Sequence, residues 1–218
     1  KVDSPDLRDP ESRYHGFNKA GFINPGVHTI WINVDSPESR DGSSRTNNTE
    51  IQAINKVLEL LKSSEGFKEY MEHWDGIKSE SKRKEEKEIG VISCYGKQVR
   101  KIRESVRPRA RQLGLQIKMN TVDKFQGMER NIVIVSTVRS NKLDRGNDRI
   151  EVNRDAGFAK SPERLNVALS RARRLLIVVG NKDFFSGIRD KEGNYLYRNA
   201  IREIERSGKV IDFKQLSK

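Results

Sequence analysis

Apolar residues along this chain fall into two kinds of run, and the two kinds alternate. Residues 29–34, 89–95, 131–138 and 175–180 are dense in Val and Ile and lack steady polar alternation. Such runs read as strands covered on both faces, as in a parallel sheet. Residues 117–122 and 210–213 are candidates for two further strands. Between strands the apolar spacing changes to three and four. Over residues 47–61 it places Ile51, Ile54, Val57, Leu58 and Leu61 on one stripe, which predicts a helix facing a core. Val99, Ile102, Val106, Ala110 and Leu113 repeat the pattern, with Pro108 expected to kink or end that helix. A third helix is expected over residues 163–173, with Leu165, Ala168, Leu169 and Ala172 on one face. At about 100° per residue, Arg164, Val167 and Arg171 project away from that face. Strands alternating with helices predict an α/β fold, a mainly parallel central sheet flanked by helices, with ligands beyond the carboxyl ends of its strands.

Three segments interrupt this pattern. Residues 78–88, KSESKRKEEKE, are almost wholly charged and read as a solvated insertion or mobile loop. Residues 141–158 are rich in Asp, Asn, Gly and Arg and read as a long surface loop between the third strand and the third helix. The chain begins at Lys1 in a polar stretch with little periodicity, so residues 1–28 are expected to be an extension at a fragment boundary and residues 29–218 the domain proper.

Composition narrows the function. There are 43 Lys and Arg against 31 Asp and Glu, a net charge of +12, which attracts polyanions such as nucleic acid. Cys94 is the only cysteine, so an intrachain disulfide and a cysteine-rich zinc site are excluded, and an intracellular, cytoplasmic setting is expected. His15, His28 and His73 have no ligand-like spacing, and no metal is expected on this chain alone. No apolar stretch reaches the roughly 20 residues that a membrane span needs, so no membrane is expected as a partner.

A phosphate-cradling P-loop is absent, because Gly96-Lys97 is followed by Gln98 and Gly208-Lys209 by Val210 rather than by Ser or Thr. Neither a Gly-x-Gly-x-x-Gly nor a Gly-x-Ser-x-Gly motif occurs. Two blocks do stand out. TVDKFQGMERNIVIVSTVRSN, residues 121–141, sets a polar turn before an apolar strand. There Gly127 would let the backbone approach a ligand, and Thr121, Asp123, Gln126 and Glu129 supply polar groups around it. RLNVALSRARRLLIVVGN, residues 164–181, leads four arginines into a second apolar strand. A further basic stretch, Lys97, Arg100, Lys101, Arg103, Arg107, Arg109 and Arg111 with only Glu104 among them, is either a solvated helix face or a phosphate-binding groove.

The two blocks resemble motifs V and VI of superfamily 1 helicases, in the up-frameshift-like branch that translocates on single-stranded DNA or RNA. Residues 89–98 are similar to that branch's Ile-Gly-Val-Ile-Thr-Pro-Tyr-x-x-Gln element, with Ser93-Cys94-Tyr95 keeping the hydroxyl and the ring but dropping the proline. Asn47 and Glu50 fit its Asn-x-x-Glu helix start. The resemblance covers roughly residues 29 to 181, in the family's order, and implies a RecA-like C-terminal motor domain. On this resemblance Arg171 is the finger that reaches the γ-phosphate, and Gly127 and Glu129 approach ATP. Thr121 and Asp123, with Ser93, Tyr95 and Gln98, lie near the nucleic-acid strand. ATP and Mg²⁺ would be bound mainly by an N-terminal RecA-like domain of the same parent chain, which carries the P-loop and the acidic motif. The alternatives are a non-enzymatic nucleic-acid-binding module and a domain that docks a partner protein.

Overall fold

All six β-rich segments become strands of one sheet. The computed structural model describes residues 15–17, 23–144, 150–152 and 156–216. Along the chain, β1 (Thr29–Asn33) is followed by the antiparallel pair β2 (Glu38–Asp41) and β3 (Ser44–Thr46), then by α1 (Asn48–Ser63), α2 (Phe67–His73) and α3 (Glu80–Lys87). Next come β4 (Ile89–Ser93), α4 (Gly96–Gln112), β5 (Ile117–Thr121), α5 (Val122–Phe125) and β6 (Arg130–Ser136). A second antiparallel pair, β7 (Lys142–Asp144) and β8 (Ile150–Val152), precedes α6 (Pro162–Leu169), β9 (Ala172–Gly180), α7 (Lys182–Gly187), α8 (Arg198–Ser207) and β10 (Lys209–Asp212).

Among the described residues the main sheet runs β10-β1-β9-β6-β4-β5, with every neighbouring pair parallel. Its strands alternate faces. Ile30, Ile32, Val91, Ile134, Ile177 and Val179 pack under the stripes of α1 and α4, whereas Trp31, Val133, Val135, Leu176 and Val178 pack against α5, α6 and α8. Burial on both faces explains the near-continuous Val and Ile runs. Each fully buried aliphatic side chain contributes about 1.5–3 kcal/mol. The second sheet, β3-β2-β7-β8, grows from the carboxyl ends of β1 and β6, where β2 and β7 pair in parallel through Glu38 and Leu143.

Local sequence accounts for the helix ends. Asn47 is extended at φ −137° and accepts the N–H of Glu50 at 3.2 Å, capping α1. Pro108 does not end α4, which continues to Gln112. Buried Val106 and Ala110 flank the proline, and Arg109 ties the last turn to Glu59 of α1 at 2.6 and 2.9 Å, which offsets the lost donor. The third helix is shorter than its spacing predicts. It stops at Leu169, and Ala172, expected on the helix, already pairs with Arg130 in the sheet.

The charged segment is not a mobile loop. Residues 80–87 form α3, with Ser79 as N-cap accepting from Lys82 N–H at 3.4 Å. Glu86 and Glu88, at the helix C-terminus where carboxylates are disfavoured by the helix dipole, are buried beside arginines of the sheet. Arg173 donates to both Glu86 oxygens at 3.1 and 2.8 Å, and Asn131 Nδ2 to one of them at 2.7 Å. Arg130 donates twice to Glu88, at 2.9 and 2.7 Å. The periodicity of charge hid these carboxylates because nothing local distinguishes a solvated Glu from a buried one.

Two other expectations are adjusted. Within the expected surface loop 141–158 lie β7, β8 and the start of a 3₁₀ turn at Gly157–Lys160, while residues 145–149 and 153–155 are outside the described residues. Of the expected N-terminal extension, residues 1–14 and 18–22 are outside them, but Phe17 is buried against Phe67 and Tyr70, with ring centroids at 5.6 and 4.9 Å.

Removing one partner of a buried ion pair strands the other. Glu86→Ala is expected to lower stability by about 3 kcal/mol, read as a fall in the urea midpoint at unchanged slope. A loss below about 1 kcal/mol would place the pair with ordinary surface bridges.

Candidate functional site

The residues singled out by the motifs occupy two opposite edges of the sheet, joined by one short element. At the amino edge, the turn after α5 carries Gly127 at φ +78°, a left-handed conformation that suits glycine, and a Cβ there would meet nothing within 4 Å. The half-buried Glu129 leads into β6. Arg130 N–H donates to the carbonyl of Arg171 at 3.0 Å, so the expected ATP-side residues Gly127, Glu129 and Arg171 share one edge.

A cavity of about 620 Å³ opens there between the turn and α3, lined by Gly127, Glu129, Arg130, Arg173, Glu86 and Lys82 among others. Arg171 is not part of that lining. Its Nε donates to Val167 O and its Nη2 to Ser170 Oγ, both at 2.9 Å, which folds the guanidinium back onto the end of α6. Arg173 faces the cavity instead, held by Glu86. Sequence reasoning missed Glu86 and Glu88 as supports of this edge, and only the packing of α3 reveals them.

At the carboxyl edge, three of the five residues expected near nucleic acid lie inside the fold. Ser93 and Gln98 are fully buried and Tyr95 is 4% exposed. Gln98 Oε1 accepts Asn47 N–H, and Nε2 donates to Asn47 O and to Ser136 Oγ, each at 3.0 Å. Ser136 Oγ donates to Glu50 at 2.6 Å, and the same carboxyl oxygen accepts Val138 N–H at 2.9 Å. Val138 sits at φ +69°, where a β-branched residue is strained. Next to it Arg139, 1% exposed, donates to Glu38 at 2.9 Å and to the Tyr95 hydroxyl at 3.2 Å.

Thr121 and Asp123 are the outward members of the set. Thr121 is half-buried at the start of α5, and Asp123 is exposed, 3.5 Å from Arg164. Arg164 lies over the ring of Phe158, an exposed aromatic that no motif reading singled out.

The basic face of α4 is partly committed to the fold. Arg109 bonds Glu59, Arg103 bonds Met119 O and Asn120, and Lys101 bonds Thr46 and Asn48. Arg107 and Arg111 remain exposed. Burial pushes the Cys94 thiol up to about 11, so it stays protonated and is no nucleophile at neutral pH. Among the described residues no helix is long and apolar enough to cross a membrane.

Burial raises the Glu50 carboxyl from 4.5 to about 8 against the pull of its bonds from Ser136 and Val138. Because the folded value lies above the unfolded one, its contribution to stability is complete below about pH 4.5 and is lost as pH rises through about 8. Denaturation of the wild type is therefore expected to become easier over that window relative to Glu50→Gln, which cannot titrate. Parallel stability profiles for the two proteins would mean that Glu50 is already ionised in the fold.

Comparison with known proteins supplies the family. A family model described as an AAA domain matches residues 5–183. The helicase MOV-10 of Gallus gallus is 37% identical over 167 residues, covering 72% of this chain and 16% of that protein. DNA polymerase alpha-associated DNA helicase A of Saccharomyces cerevisiae is 43% identical over 96 residues, covering 44% of this chain and 12% of the yeast protein. RNA helicase Mov10l1 of Homo sapiens is 45% identical over 95 residues, covering 43% and 7% respectively. The chain thus spans less than a fifth of the length of each of these relatives. The matched region contains both edges of the sheet and the element between them, and the chain belongs to this AAA domain family, within the up-frameshift-like branch of the superfamily 1 helicases.

Proposed function

We propose that this chain is the C-terminal RecA-like motor domain of an ATP-dependent helicase or translocase, working at a cleft shared with an N-terminal RecA-like domain of the same parent. One observation carries the reading. The four residues of α5 connect Thr121, at the carboxyl end of β5, to the turn of Gly127 at the amino end of β6. Val122 and Phe125 anchor α5 in the core, so the connection is stiff. A displacement imposed at the nucleotide edge passes through it to Thr121 and Asp123 at the strand edge, which is the coupling a translocase needs.

The amino edge suits a nucleoside triphosphate. Gly127 leaves room for a close approach of the backbone, and Glu129 can accept hydrogen bonds from ribose hydroxyls. Bound Mg·ATP would supply the phosphoryl group for hydrolysis, with Mg²⁺ and most phosphate contacts held by the N-terminal domain. Arg171 is the finger in this reading. To reach a γ-phosphate its side chain must give up its bonds to Val167 O and Ser170 Oγ, at a net cost of about 0.5–1.5 kcal/mol each. Charge-assisted bonds to phosphate, roughly twice as strong as neutral ones, offset that cost. The arginine then stabilises charge on the transferring group.

At the carboxyl edge Thr121 and Asp123 meet a single strand directly. Ser93, Tyr95 and Gln98 shape that edge from beneath, through the backbone of residues 93–98 and the bonds to Asn47, Ser136 and Arg139. The net charge of +12 and the exposed Arg107 and Arg111 favour a polyanion. The relatives' names include both DNA and RNA helicases, and the strand proposed here is single-stranded DNA or RNA.

Steady-state ATPase activity tests the reading, with and without single-stranded DNA and RNA, for this fragment, its full-length parent and the parent's Arg171→Ala variant. Strand-stimulated turnover is expected in the parent, a loss of about 10³-fold or more in the variant, and none in the fragment. A variant with parental turnover would remove Arg171 from the finger role, and full activity in the fragment would overturn the shared-cleft reading.

A further inference from the structure

Phe158 is 43% exposed, the only large hydrophobic side chain in that state among the described residues. A lone exposed apolar residue is ordinary, so the exposure by itself carries nothing. The surroundings of the ring are less ordinary. The Arg164 guanidinium lies over it, 4.6 Å from the ring centroid, and the Tyr95 ring meets it edge-on at 5.3 Å. Arg164 reaches on to Asp123 at 3.5 Å. Four side chains from separate parts of the chain therefore converge beyond the carboxyl ends of β4 and β5: the residue pair after β4, α5, the 3₁₀ turn and α6.

The backbone beneath the ring is also held. Gly157 takes φ +47°, and a Cβ there would lie 2.2 Å from Arg139 Nη1, so the turn is pressed against a buried arginine. One residue beyond Phe158, the carbonyl of Ala159 accepts the Tyr197 hydroxyl. An aromatic ring fixed from below, with a guanidinium over one face, offers another flat π-system its opposite face, or a place in a stack with the guanidinium, without first being ordered.

We propose that Phe158, flanked by Arg164, is a stacking platform for one unpaired nucleobase of a bound single strand. The inference rests on the reading that this edge faces single-stranded nucleic acid, and it adds a base contact to what is otherwise a set of backbone-directed polar groups. Every nucleobase presents a π-face, so the platform is indifferent to sequence and serves RNA and DNA alike. Charge supports this occupant over an apolar protein segment. Beside the ring sit a guanidinium and a carboxylate rather than further exposed apolar side chains, and the whole chain carries +12.

The test measures the affinity of the full-length parent for a labelled single strand of about a dozen nucleotides, as RNA and as DNA, by fluorescence anisotropy. The same strand carrying abasic residues serves as the second probe. Phe158→Ala is expected to weaken binding to the intact strand about tenfold, and Phe158→Trp to retain parental affinity. On the abasic strand the parent and Phe158→Ala are expected to bind alike, because the ring has no base to meet there. An equal loss on the intact and abasic strands would mean that the ring only supports the fold, and no loss on either RNA or DNA would remove it from the strand site. Both outcomes overturn the inference while leaving the helicase reading in place. A parent that binds neither strand overturns the helicase reading and this inference with it.

Discussion

The carboxyl ends of β4 and β6 are held together by a buried polar network as well as by apolar packing, and the carboxyl edge of the candidate site depends on it. Gln98 uses its whole amide on the Asn47 backbone and Ser136, Ser136 donates its hydroxyl hydrogen bond to Glu50, and Glu50 also accepts the N–H of Val138. In a low-dielectric interior each of these bonds is stronger than in water, and each orphaned member is costly. The network therefore permits essentially one arrangement of the start of α1, the start of α4 and the turn after β6. It also holds Val138 at φ +69°, a conformation such a residue would not adopt unaided. From that turn the chain sends Arg139 inward to Glu38 and Tyr95, which orients the ring that meets Phe158.

At the amino edge the fold relies on buried ion pairs, where the carboxyl edge combines the hydrogen bonds around Gln98 with the buried Arg139–Glu38 pair. Glu86 and Glu88 hold Arg173 and Arg130 in a setting where each ion is nearly dry. Such pairs add little net stability over apolar packing, but leaving one member alone is expensive, so they restrict where β6, β9 and α3 can sit relative to one another. The helix α3 is thereby made a wall of the cavity beside Gly127 and Glu129. A segment whose composition suggests solvent is instead part of the candidate nucleotide edge.

Between the edges lies the sheet, stiff because both faces are packed. The short α5 links its two edges. The connection from the carboxyl end of β5 to the amino end of β6 takes only residues 122–129, four of them in α5, whose buried Val122 and Phe125 leave little slack. Longer crossover helices such as α4 leave more chain between their ends. That economy of chain lets one motif present groups at both edges of the sheet.

Periodicity alone located all six strands of the main sheet and the stripes of α1 and α4, because burial on both faces of a parallel sheet leaves an unbroken apolar signature and a one-sided helix leaves a three-four spacing. Motif wording identified the family and pointed to Gly127, Glu129 and Arg171, whose gathering at one edge follows from the parallel order of β6 and β9. Sequence could not decide where α6 yields to β9, since Ala172 suits either element and only pairing with Arg130 selects the strand. Nor could it show that Ser93 and Gln98 face inward, that Arg171 folds back on the end of α6, or that Glu86 is buried while exposed Glu85 beside it is not. Those outcomes depend on which distant backbone or side chain arrives within hydrogen-bond reach. That information resides in tertiary contacts between segments some 40 to 90 residues apart, as with Glu86 and Arg173 or Gln98 and Ser136, and no local pattern contains it.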